Sequence, residues 1–182
     1  MVSIAVGSYL VKTDIWDSES ELTVALDKCT LGSIRLQNDE YPSDDVYSLR
    51  VQSDKGTFGI GIITYHNGIL PSMICINKSL CLVIGFGANV YTVDIAARKL
   101  VTSLSLDYEF YQFHTLEHLG IHDFFLVQSE MEVIACSTLG KRIWGYSGND
   151  IISSLVVSQS EVELHLIDGS QHNIGIVDGI KR

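Results

Sequence analysis

Positive charge is scarce in this 182-residue chain. Twelve Lys and Arg stand against 22 Asp and Glu, a formal net charge of −10, and no Lys/Arg cluster interrupts the deficit. Nucleic-acid binders gain affinity by releasing counterions through such clusters, so direct nucleic-acid binding is excluded as an expectation. The same field attracts a basic partner and speeds its approach. Long apolar runs are also missing. The longest, around Phe58–Tyr65 and Leu80–Phe86, fall far short of the roughly 18–20 residues that cross a bilayer as a helix, so no membrane segment is expected. Met1–Leu10 lacks a positively charged start and is broken by Ser3, Gly7 and Ser8, which argues against an export signal and for a cytoplasmic location. The four cysteines, Cys29, Cys75, Cys81 and Cys136, form no C-x-x-C pair and lie mainly in apolar runs. That pattern predicts buried reduced thiols, not a disulfide framework or a zinc site. Alanine is rare too, with 6 residues against 20 Ile and 16 Val. Side chains that are stiff at χ1 pack well on a pleated surface, and the predicted fold class is all-β, mainly antiparallel.

The size fits a single domain over residues 1–182. Residues 1–50 differ from the rest, with nine acids against four bases, an acidic cluster Asp14–Glu21 and a turn-rich stretch Asn38–Asp45 containing Pro42. This segment is expected to cover a sheet edge. It also holds at most one short helix, capped from Asp17–Ser20 and running Glu21 to Cys29, because Leu22, Ala25, Leu26 and Cys29 fall at helical spacing, with a strand as the competing reading. From Val46 the pattern changes to hairpins. Val46–Ser53 and Thr57–Tyr65 flank Asp54-Lys55-Gly56, and His66-Asn67-Gly68 reverses the chain again. Near the end, Val162, Leu164 and Leu166 alternate with Glu161, Glu163 and His165, and Asp168-Gly169 leads to Ile174 and Ile176, which marks a half-buried hairpin.

Between these lies an internal repeat. Leu80–Val101 aligns with Phe124–Trp144, placing Val90 on Val133, Val93 on Cys136 and Arg98-Lys99 on Lys141-Arg142. Each unit reads as strand, tight turn, strand, polar turn, strand, and a period of roughly 40–50 residues is how blade-type architectures show themselves. The run Ala135-Cys136-Ser137-Thr138-Leu139-Gly140-Lys141-Arg142-Ile143-Trp144 resembles the turn of quinoprotein-type β-propeller blades, in which a strand ends in Asp, a polar turn closes with Gly-Lys, and Trp follows. Val93-Asp94 with Arg98-Lys99 is a weaker copy. The resemblance covers about residues 80–150 and implies a partial propeller, or a sandwich of a few meander sheets. Ser137 stands where the blade Asp belongs, Val101 stands for the Trp, and two units are too few for a ring. No cofactor and no catalysis are carried over.

Several clusters invite a chemical reading. His114, His118 and His122 are spaced four apart and, with Glu117, would converge on a metal if helical. Gly120 and the aromatic run Tyr108–Phe113 place them instead at a strand end and in a loop, so no metal is assigned and the histidine site stays an alternative. Gly85-Phe86-Gly87 lacks the third glycine of a dinucleotide loop and runs into a strand, so it reads as a turn. Gly145-Tyr146-Ser147-Gly148 is one residue short of a nucleophile elbow and has no following helix.

The feature of most weight is a stretch without bases. From Leu100 to Gly140 there is no Lys or Arg, while carboxylates interleave with rings. If Asp107–Glu117 is one strand, Asp107, Glu109, Tyr111, Phe113 and Glu117 share a face. With Asp123, Glu130 and Glu132 they form the expected partner-binding set, since tyrosine and carboxylates together suit a cationic protein surface. The function expected from this is a non-enzymatic module that masks a basic protein, by charge analogy with toxin and immunity-protein pairs an immunity protein against a nuclease-type bacterial toxin. The alternatives are a metal-dependent enzyme using His114, His118 and His122, and a structural β module that self-associates through an open sheet edge.

Overall fold

A computed structural model of the chain describes residues 3–37, 45–65 and 68–182. Among these residues the chain forms four sheets, one α-helix and a single 3₁₀ turn. The first sheet holds β1 (Ser3–Val6), β2 (Tyr9–Trp16), β3 (Ser33–Gln37), β4 (Asp45–Ser53) and β5 (Gly56–Thr64) in the order β1-β2-β4-β5-β3, with α1 (Glu19–Asp27) between β2 and β3. The second sheet is the meander β6 (Ser72–Ile76), β7 (Cys81–Phe86), β8 (Asn89–Asp94) and β9 (Lys99–Ser105). A third follows with β10 (Phe110–His114), β11 (Phe124–Ser129), β12 (Glu132–Ser137) and β13 (Arg142–Ser147), and a fourth with β14 (Ile152–Val157), β15 (Glu161–Leu166) and β16 (Gln171–Gly175). The fold is all-β with blade-like sheets. Pairing is antiparallel except for β3 beside β5.

The predicted helix is present and begins two residues early. Ser18 caps it, its Oγ accepting the Glu21 amide, while the Glu21 carboxylate accepts the amide of Asp17 just before the cap, a variant of the reciprocal cap that fixes how the chain enters the helix. Leu22 and Leu26 lie on Gly59 and Gly61 of β5, where a Cβ would stand 2.7 Å from the Leu26 side chain at Gly59. Glycine in this strand is therefore the seat of the helix. The described part of residues 1–50 forms β1 to β3, α1 and much of β4. These strands supply most of the first sheet, whose opposite face packs Val11, Leu49, Val51, Phe58 and Ile60 onto Leu82, Ile84 and Phe86 of the second sheet. The β4–β5 hairpin closes around Asp54-Lys55 as read, with Ser53 opposite Gly56. The stretch 38–44 and the reversal at His66-Asn67 lie outside the described residues.

The internal repeat is real and more regular than its sequence. Strands β7, β8 and β9 recur as β11, β12 and β13 with starts at 81 and 124, 89 and 132, 99 and 142, each 43 residues apart. Even the bulge recurs, between Thr92 and Val93 in one sheet and between Ala135 and Cys136 in the next. Because of that bulge the partner of Thr92 is Thr102 and the partner of Ala135 is Trp144. Thr102, not Val101, therefore occupies the place of the tryptophan.

The fourth sheet is a third, diverged copy. Ile152 donates its amide to Glu130 at 2.7 Å, as Phe110 does to Gly87 at 2.7 Å. Ile167 bonds back to Ile151 as Glu130 does to Glu109, and Ile174 bridges Lys181 where a fourth strand would run. Its sequence differs too much from the other two for a sequence comparison to show this.

The sheets stack in chain order, with successive hydrophobic clusters between them. Phe110, Phe125, Val127 and Ile134 of the third sheet meet Val83 and Val90 of the second, and Leu126, Val133, Ala135 and Trp144 meet Val162, Leu164 and Ile174 of the fourth. Gly85 admits Phe110, since a Cβ there would sit 2.5 Å from the ring. The two terminal faces differ from the interior ones. α1 covers the first sheet through Leu22 and Leu26, and the outer face of the fourth carries Glu161, Glu163, His165 and Gln171, with a 2.7 Å pair between His165 and Glu163. A stack of repeats needs such polar or covered ends to stay soluble.

Candidate functional site

The hairpins β7–β8, β11–β12 and β15–β16 all close at one end of the stack, together with the connections that lead from each sheet to the next. This turn end is rich in carboxylates because its short loops are the places where the chain leaves the sheets and must stay solvated. Asp107 and Glu109 come from the β9–β10 connection, Glu130 from the β11–β12 turn, Asp150 from the β13–β14 connection and Asp168 from the β15–β16 turn. Backbone bonds hold these segments together. Glu130 donates to the Glu109 carbonyl at 3.1 Å and accepts from Ile152, and Gly148 donates to Met131 at 2.7 Å. The Tyr65 hydroxyl, just beyond β5, donates to the Glu109 carboxylate and ties the first sheet to the same end. The Asp168 carboxyl is held below its usual range by hydrogen bonds from Ser170.

Bases are few around this end. The absence from Leu100 to Gly140 resumes after Arg142 and lasts to Ile180, leaving Lys141 and Arg142 as the only Lys or Arg between residues 100 and 180. Lys141 lies in the β12–β13 turn, at the opposite end of its sheet. Arg142 reaches Glu132 at 2.8 Å, crossing Gly145, where a Cβ would stand 2.0 Å from the guanidinium.

The structure divides the predicted partner-binding set. Asp107, Glu109 and Glu130 come together at the turn end. Glu132 is beneath them and cannot contact a partner, since its side chain is 1% exposed and paired with Arg142. Burial pushes its carboxyl up, against the opposing pull of Arg142. The single strand Asp107–Glu117 does not form. β10 covers Phe110–His114 only, with a bulge between Phe110 and Gln112, so alternation does not carry from Glu109 to Glu117. Tyr111 is exposed, while Phe113 turns inward onto Phe110 and Phe125 at centroid distances of 4.7 and 5.9 Å. Glu117 opens the 3₁₀ turn Glu117–Leu119 and Asp123 precedes β11, which places both at the opposite end of the sheet.

The histidines follow the same division. His114 ends β10 and its Nε2 meets Gln128 Oε1 at 2.9 Å, His118 lies in the 3₁₀ turn, and His122 is in the loop beyond it. Among the described residues no group of three or more His, Cys, Asp or Glu side chains is placed to hold a metal ion. Gly85 belongs to β7 and Gly87 takes a positive φ in the turn. Ser147 ends β13 and leads to another strand. Cys136 is fully buried and its thiol is pushed up to about 12 by that burial, which keeps it in the unreactive protonated form.

Sequence reasoning missed two features, one of them at this end. Asp150, Asp168 and the exposed aliphatics Ile151 and Ile167 belong to it, and the renewed lack of bases after Arg142 was their visible signal. It also missed a cleft of about 360 Å³ between the first sheet and the start of β6, lined by Ile15, Leu49, Ile62, Leu70, Met73 and Ile84 among others. No periodicity marks that cleft, because it arises from how far one sheet overhangs another.

No protein-family model matches the chain, and no curated protein matches it. Solved structures similar to it include a chain in the crystal structure of the mitotic checkpoint complex, at 8% identity and TM-score 0.48 over 76% of this chain and 45% of that one. BamB from Moraxella catarrhalis is similar at 13% identity and TM-score 0.44, over 74% of this chain and 41% of that one. The chain spans less than half the length of either.

Proposed function

We propose that this chain is a non-catalytic protein-binding module whose turn end receives a basic protein partner. The observation that carries this reading is the gathering of Asp107, Glu109, Glu130, Asp150 and Asp168 on adjoining connections while Arg142 is committed to Glu132. Like charges held together repel, and a cationic surface relieves that repulsion while being steered toward it. A nuclease-type toxin in the cytoplasm, with a cationic groove for its phosphate substrate, is the partner class we assign, and masking that groove makes the module an immunity protein. We also place the sheets with quinoprotein-type blades, on the Gly140-Lys141 turn followed by Trp144. Purification of the complex from native cells at two ionic strengths tests the function. A basic protein retained at low salt and released as salt screens the contact is the expected result. Retention of an acidic protein, or indifference to salt, contradicts it.

A further inference from the structure

Three rows of side chains cross the inner face of the first sheet. Val11, Val51 and Phe58 form one, Thr13, Leu49 and Ile60 the next, and Ile15, Tyr47 and Ile62 the last. The first row is covered by the second sheet. The last is buried at Tyr47 and Ile62, which join the same core, while Ile15 at its end is 75% exposed. Leu70, just before β6, is 66% exposed across from it, and the cleft of about 360 Å³ lies between them. One isoleucine and one leucine side chain left this open beside an apolar hollow are costly in water.

The cleft lies toward the acidic end. Its last row adjoins the ends of β4 and β5 that carry Asp45 and Tyr65, where Tyr47 donates its hydroxyl to Asp45 and Tyr65 donates to Glu109. An occupant must bring apolar surface into the hollow and meet carboxylates around it. Those carboxylates repel a fatty acid or another anionic amphiphile, whereas a protein segment with basic residues on either side of an apolar one satisfies both conditions. We infer that the cleft seats an apolar anchor side chain of the basic partner, an inference that rests on the proposed reading of the turn end. In interfaces of this kind a buried apolar anchor supplies much of the affinity, and surrounding charges supply approach rate and orientation.

The test uses two fluorescent octapeptides of equal charge, each with six basic residues around a central pair, Phe-Leu in one and Ser-Ser in the other. Fluorescence anisotropy measures their binding to the unmodified protein and to the double variant Ile15→Gln, Leu70→Gln. Both positions are exposed, so the fold tolerates the change, and circular dichroism checks this. The Phe-Leu peptide is expected to bind about tenfold more tightly or better, with the preference falling to within about twofold in the variant. Equal binding of the two peptides by the unmodified protein overturns the anchor and leaves the basic-partner reading standing. A preference that survives in the variant overturns the location. Binding of neither peptide at low salt overturns both. A concentration-dependent doubling of mass that the variant abolishes overturns the anchor in favour of a second copy of this chain.

Discussion

Replacing Trp144 with alanine is expected to lower the stability of the protein by about 3–5 kcal/mol, the range for removing a large buried aromatic side chain. Trp144 lies in β13 yet packs into the cluster it shares with the fourth sheet. Its Nε1 donates to the Ile176 carbonyl at 3.1 Å, and Gly179 lies so close that a Cβ there would meet the indole at 2.7 Å. The indole thus holds the fourth sheet by both packing and a hydrogen bond. Thr102, in the equivalent place one sheet earlier, makes only the polar half of this contact, its hydroxyl donating to the Leu139 carbonyl at 2.9 Å. Thr102→Ala is accordingly expected to cost about 1 kcal/mol. Urea unfolding measures both, and a steady slope with a shifted midpoint identifies a loss of stability without a change in the unfolded state. A loss of under about 1 kcal/mol for Trp144→Ala contradicts the role given to the indole.

The largest expected effect on binding comes from charge reversal. Glu130→Lys combined with Asp150→Lys changes the local charge by four units at two exposed or partly exposed positions of the turn end, without entering the core. Electrostatic steering raises association rates by about 10–10³-fold, so the double variant is expected to associate with the basic partner at least about tenfold more slowly at low ionic strength. The difference is expected to shrink as salt shortens the Debye length to about 8 Å at physiological strength. Stopped-flow or surface-based kinetics across a salt series reads this directly. A control reversal of Glu117 and Asp123, which lie at the far end of the third sheet, is expected to change the rate much less. Equal effects of the two pairs would show that net charge alone steers the partner.

Much of the fold was legible because it depends on local pattern. The excess of Ile and Val, the cap ahead of Glu21 and the alternation from Glu161 to Leu166 each have a physical cause within a few residues, and each marks an element that forms. The repeat was legible over 80–144 because the two copies share both strand length and turn chemistry. The third copy was not, since what it retains is a set of backbone bonds such as Ile152 to Glu130, which no side chain encodes. The turn from Asp94 to Lys99 is one residue longer than the turn from Ser137 to Lys141, which shifts the alignment by one position and hides Thr102 behind Val101.

The site was legible in charge and not in geometry. Lack of bases over residues 100–140 singles out Asp107, Glu109 and Glu130, which the fold gathers at the turn end of the third sheet. Strand alternation then failed at two places. The bulge at Phe110 and Gln112 breaks the face, and the strand ends at His114, three residues short of Glu117. The charge of Glu132 suggests exposure, while Arg142 ten residues on supplies the partner that lets it be buried. The cleft at Ile15 and Leu70 belongs to the overlap of two sheets and has no counterpart in any single segment.

Hydrogen exchange on the protein alone and in complex with its partner measures the central claim most directly. The predicted result is slowed exchange on binding at the connections 106–109, 130–131, 148–151 and 167–170, with little change along β9 and β13. Slowed exchange confined to β9 and β13, or to the far loops around Glu117 and Asp123, would place the partner elsewhere and contradict the account.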